Sequence, residues 1–112
     1  MEAKQVVISN LLVNYYVAGS GKAAPTVIFL HGWRSEGRVW SRVVAELLKG
    51  KNYQIYCLDL PGFGKSERPK RAFMVGDYAD VVEEFIEKAV LFSTPSQSPP
   101  ISLRETGGEI TI

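Results

Sequence analysis

Cysteine and histidine each occur once in this chain, charge of one sign barely exceeds the other, and no apolar run is long enough to cross a bilayer. Each shortage excludes something. Cys57 alone cannot form a disulfide framework, and with a single histidine, His31, there is no partner set for a thiolate or imidazole metal site, so no metal and no cofactor is expected. An unpaired cysteine inside an apolar run suits a reducing compartment, and a cytoplasmic location is the expectation. Thirteen Lys and Arg against twelve Asp and Glu leave a formal net charge of +1. Nothing in that balance calls for a nucleic-acid or membrane-surface partner. The first residues, Met1 to Gln5, lack the charged-then-apolar order of a secretory signal, and no stretch approaches the roughly 18 apolar residues of a spanning helix. There is no internal repeat.

What is present is ordinary globular composition, 46% hydrophobic and 22% charged, in a chain of 112 residues that allows one small domain or part of a larger one. Val6 to Val17, interrupted at Ser9-Asn10, reads as two short antiparallel strands. Thr26 to Leu30 is an unbroken apolar and β-branched run after Pro25, the pattern of a strand buried on both faces, and it stops at His31-Gly32-Trp33. A helix should follow, with Ser35 as its cap, an apolar stripe of Val39, Trp40, Val43, Val44, Leu47 and Leu48, and Gly50 as its terminator. Tyr53 to Leu60 reads as a further buried strand, broken by Pro61-Gly62. A second helix carries Tyr78, Val81, Val82, Phe85, Ile86 and Ala89 on one face, with Asp77 and Asp80 in its first turn. The order strand, strand, strand, helix, strand, helix predicts an α/β fold with a parallel strand pair joined by a right-handed helical crossover. Residues 1–90 form this partial domain and 91–112 a divergent tail, opening on the low-complexity run Ser93 to Pro100.

Two glycine-rich segments are decoys. Gly64-Lys65-Ser66 resembles a phosphate-binding loop, but Asp59 stands where that motif needs its first glycine. Gly19-Ser20-Gly21-Lys22 is followed by Ala23 in place of the Ser or Thr that would reach magnesium. His31 has two readings: a side chain bracing a loop at a strand end, which is favoured, or a general base, which would need an orienting group and a nucleophile to face. Gly32 also has two. It either relieves a tight turn or leaves room for a substrate oxygen to approach backbone N–H groups.

His31-Gly32-Trp33 after an apolar strand, an amphipathic helix, and then Leu58-Asp59-Leu60-Pro61-Gly62-Phe63-Gly64-Lys65-Ser66 together resemble the amino-terminal part of the α/β-hydrolase superfamily, over about residues 5–90. The fold expected is therefore a truncated α/β-hydrolase-like sheet. The resemblance implies that Gly32 and Trp33 shape an oxyanion hole, with Trp33 donating a backbone N–H, and that Asp59 and Ser66 are structural. An intact relative would be a serine hydrolase acting on a small-molecule ester or similar bond. Its Gly-x-Ser-x-Gly nucleophile motif is absent here. Aligned on the closing Gly107-Gly108 segment, Arg104 and Glu105 stand where that motif's His and Ser would be. Without nucleophile, acid and base, no catalytic residue is assigned and no turnover is expected. The alternative is a non-catalytic binding module. In the family's strand order Thr26–Leu30 would lose a neighbour, so the sheet edge is expected to pair with 101–103 or 110–112, or with another chain.

Overall fold

The computed structural model describes residues 1–19, 24–91 and 110–111. Strand β1 (Glu2–Ile8) and strand β2 (Leu11–Ala18) form an antiparallel hairpin paired from Glu2↔Val17 to Ile8↔Leu11. Its two-residue turn places both Ser9 (φ 51°) and Asn10 (φ 63°) in the left-handed region. Such a turn twists in the sense that strands prefer. Strand β3 (Thr26–Leu30) is followed by a 3-10 turn (Gly37–Trp40) and helix α1 (Ser41–Leu47). Strand β4 (Gln54–Leu58) comes next, then helix α2 (Val75–Phe85), which continues as a π-helical turn over Ile86–Leu91. The described sheet has the order β1-β2-β4-β3-β5, where β5 is Ile110–Thr111.

Strands β3 and β4 run parallel in register from Thr26↔Gln54 to Leu30↔Leu58, as the helical crossover between them requires. Alternate residues along the pair point to opposite faces, and each face has its own core. On one face Ile28, Tyr56 and Leu58 pack with Ile8, Val13 and Tyr15 under Val81, Val82, Phe85 and Ile86 of α2. On the other, Val27, Ile55 and Cys57 pack with Tyr16 beneath Val44, with Trp40, Leu47 and Leu48 at the margin. The parallel strands are covered on both sides, which is why their sequences read as continuous apolar runs.

Four expectations need correction. Ser35 does not cap α1; no side chain caps that helix start, and the buried Gly37 N–H is met from outside by the Asp59 carboxylate, 2.6 Å away. The α1 stripe is narrower than its spacing suggests: Val39, 59% exposed, lies in the 3-10 turn and out of helical phase, and Val43, inside α1, is 42% exposed at the edge of the buried face. Gly50 does not adopt the left-handed conformation of a terminating glycine; the helix ends earlier, at Leu47. Helix α2 begins at Val75, so only Asp77 lies in its first turn and Asp80 falls beyond it. The Ser93–Pro100 run, 101–103, Arg104, Glu105, and residues 20–22 of the decoy turn lie outside the described residues. Ile110 and Thr111 pair in parallel with Thr26 and Val27.

Asp77 ties the approach to α2. Its carboxylate accepts from Arg71 at 2.8 Å and 3.1 Å and from the Met74 N–H at 2.8 Å. The Arg71 hydrogen bonds, then the Met74 amide, hold its pKa at about 2, below the ordinary 3.8. A depressed carboxylate stabilises the fold above its unfolded pKa, and that contribution disappears as pH falls through the folded value. Between about pH 4 and about pH 2 the chain is therefore expected to lose more thermal stability than the Asp77→Asn variant does. Parallel losses in melts followed by circular dichroism would remove Asp77 from the acid response.

Candidate functional site

The ends of β3 and β4 lie side by side, and His31 joins them. The ring is 6% exposed; its Nε2 accepts the Leu60 N–H at 3.0 Å, and its Nδ1 lies 2.7 Å from the Gly32 carbonyl oxygen. An acceptor Nε2 carries no hydrogen, so Nδ1 is the nitrogen that donates. The same Gly32 oxygen accepts the Ser35 N–H at 3.2 Å, closing a four-residue turn in which Arg34 adopts φ 61°. A long side chain in the left-handed region costs of order 1 kcal/mol or more. It persists because both hydrogen bonds on Gly32 fix the turn.

That turn presents Gly32 and Trp33 outward. A Cβ built on Gly32 would meet nothing within 4 Å, so no packing inside the described chain demands glycine there. The Trp33 N–H has no hydrogen-bond partner among the described residues. The Trp33 side chain is 78% exposed, and its ring meets Phe63 edge to face, centroids 5.2 Å apart. Phe63 in turn lies 5.4 Å from the His31 ring. Leu60, Phe73, Val75 and Tyr78 complete a cleft of about 280 Å³ in front of Gly32. Phe73 and Tyr78 are themselves in edge contact at 5.2 Å.

Behind this cleft, Asp59 anchors the loops. It is fully buried, and its carboxylate accepts from Gly37 N–H (2.6 Å), Asn14 Nδ2 (2.9 Å) and Lys65 N–H (2.9 Å). Ser66 donates its hydroxyl to the Asp59 carbonyl oxygen while accepting the Asn14 N–H at 2.8 Å. Gly64, at φ 54°, passes so close that an added Cβ would stand 2.4 Å from the Asp59 carboxylate. Lys65 and Ser66 therefore belong to a loop whose backbone turns in on its own carboxylate. An inward carboxylate leaves no room for a phosphate. Cys57, just upstream, is buried in the sheet, and desolvation pushes its thiol pKa up to about 12. Such a thiol is not a nucleophile at neutral pH.

The structure brings His31, Gly32 and Trp33 together at one strand end. The aromatic walls were missed, although an aromatic residue between two glycines, Phe63, was a usable signal.

A profile of the α/β-hydrolase fold matches residues 25–94, which contain every residue of this cleft. The chain belongs to the α/β-hydrolase fold family. It is 32% identical over 63 residues to the "probable lysophospholipase BODYGUARD 4" of Arabidopsis thaliana, covering 55% of this chain and 15% of that protein. It is 34% identical over 68 residues to a fluoroacetate dehalogenase of Burkholderia, covering 61% and 21%. Among solved structures, a membrane phospholipase A described as a bacterial virulence factor superposes with a TM-score of 0.70 at 33% identity, covering 77% of this chain and 27% of that one. The chain thus spans a minor part of the length of these α/β-hydrolases. The part matched by the family profile, residues 25–94, holds the parallel pair and its two covering helices. Among the described residues no helix is long and apolar enough to cross a membrane.

Proposed function

We propose that the Gly32–Trp33 turn is the oxyanion side of a hydrolase active site, with the Trp33 N–H as one donor and Gly32 leaving room for the substrate oxygen. The observation that carries this is an N–H without a partner, beside an uncovered glycine, at the mouth of an apolar cleft. Donors fixed in advance toward developing negative charge are the main requirement of such a site. His31 positions the turn rather than reacting: both its ring nitrogens are engaged with backbone groups. In a protein carrying the rest of the domain, the reaction would be hydrolysis of a small ester or similar bond by a serine nucleophile. Relatives named as a lysophospholipase and a dehalogenase support the hydrolase class. The 112-residue chain itself, with no Gly-x-Ser-x-Gly, binds without turnover.

Gly32→Ala tests the site without disturbing the core. The variant should keep the wild-type melting temperature and bind a short-chain carboxylate, standing in for the oxyanion, about tenfold more weakly by Trp33 fluorescence. Equal binding would remove Gly32 and Trp33 from the role. A serine-directed fluorophosphonate should label no residue; labelling would show a nucleophile and overturn the absence of turnover.

The β3 edge favours a second use. Among the described residues β5 pairs only with Thr26 and Val27, and Ile28 to Leu30 have no partner on that side among them, which supports edge-strand association. Sedimentation velocity over a range of concentrations reads it as a rising mass, and a concentration-independent monomer argues against it.

A further inference from the structure

Three of the most exposed apolar side chains in the described structure are Trp33 (78%), Met74 (72%) and Val75 (86%); Trp33 and Val75 line one cleft, and Met74 stands in the chain between two of its lining residues, Phe73 and Val75. They come from two separate places, Trp33 from the loop after β3, and Met74 and Val75 from the end of the loop before α2 and the first residue of that helix. Water-facing exposure on this scale, clustered at one rim, marks a contact surface. The second loop is also basic. Lys65, Arg68 and Lys70 are exposed, as is Arg34 beside Trp33, and none of the four forms an ion pair among the described residues. The loop folds back along the cleft: the Gly62 N–H, just before Phe63, donates to the Glu67 carbonyl oxygen at 2.9 Å, and Arg71 lies 5.2 Å over the Phe73 ring.

The nearby acids only partly offset this charge. Glu36 is paired with Arg38 at 2.6 Å and Asp77 with Arg71, while Glu67, which accepts the Leu12 N–H at 2.9 Å, keeps one negative charge against Lys65, Arg68, Lys70 and Arg34. A whole-chain charge of +1 conceals a local excess, which is why composition alone argued against a membrane-surface partner. Apolar residues that can enter an acyl layer, on and beside a loop that carries cations without ion-pair partners among the described residues, match an anionic lipid surface. We infer that this chain docks at anionic membranes through the Trp33–Met74–Val75 rim, with Lys65, Arg68 and Lys70 on the headgroups. The inference goes beyond the oxyanion reading and does not depend on it.

The test is sedimentation of the full chain with vesicles of phosphatidylcholine containing about one-third phosphatidylglycerol. Binding should be strong at about 50 mM salt, largely lost at about 500 mM, and weak with phosphatidylcholine alone. Bound protein should show a blue-shifted tryptophan emission that Trp33→Ala abolishes, because the remaining Trp40 is partly buried and stacked on Phe29 at 4.8 Å, on the core under α1 rather than in the cleft. Arg68→Ala/Lys70→Ala should weaken partitioning on the order of tenfold or more while circular dichroism stays unchanged. Equal binding to neutral and anionic vesicles, or none at low salt, would overturn the inference. So would a blue-shifted Trp33 in vesicle-free solution accompanied by a doubled mass, since the rim would then be a contact between two copies.

Discussion

Asp59→Ala is expected to destabilise the chain by about 3–5 kcal/mol, enough to leave much of it unfolded at room temperature. The side chain is fully buried, and its loss leaves the Gly37 and Lys65 amides and the Asn14 amide group without their acceptor. Each hydrogen bond to a charged group is worth about 1.5–3 kcal/mol, and unmet buried donors add a desolvation cost. Asp59→Asn separates charge from shape: one oxygen survives, but an NH₂ group must now face a donor. It should fall between wild type and alanine. Urea unfolding followed by far-ultraviolet circular dichroism reads both variants, and an alanine midpoint close to wild type would show that water replaces the carboxylate at little cost.

Phe85→Ala should cost a similar amount, about 3–5 kcal/mol, by a different mechanism. Phe85 is fully buried at the end of α2 and meets the edges of Tyr15 at 4.9 Å and Tyr56 at 5.9 Å. No polar group is stranded when it is removed. The loss is of apolar burial and of two aromatic contacts, with a cavity between helix and sheet. Phe85→Leu should recover much of it, whereas no apolar substitution recovers Asp59. If Phe85→Leu proves as damaging as alanine in the same urea experiment, ring geometry rather than volume holds α2 in place.

The pattern of recovery follows from what sequence can carry. Thr26–Leu30 and the α2 stripe declared themselves because burial on two faces, or on one helical face, imposes a period on residue type. Helix α1 did so only in part, because Val39 matches the period but sits in a 3-10 turn, and Val43 matches it but stays 42% exposed inside the helix. The Gly32 turn was legible from its place after a buried strand. Asp59 was legible only as part of a motif; its donors come from residues 45, 22 and 6 positions away, and no local pattern encodes them. Nor does one encode the rest of the cleft wall, where Phe73 from a loop and Tyr78 from a helix converge on Phe63.

The hairpin tip has a meaning beyond its shape. Ser9 must hold a left-handed conformation that favours Gly or Asn, and its N–H and hydroxyl are both received by Glu84, 75 positions later, with Lys88 donating to the Val7 carbonyl oxygen. The closest pair of strands in the chain is thus locked by its most distant helix. The hairpin's register is set by its own turn and pairing, but the side-chain bonds at its tip exist only once α2 is docked, so a change at Glu84 or Lys88 would be felt at the opposite end of the sequence.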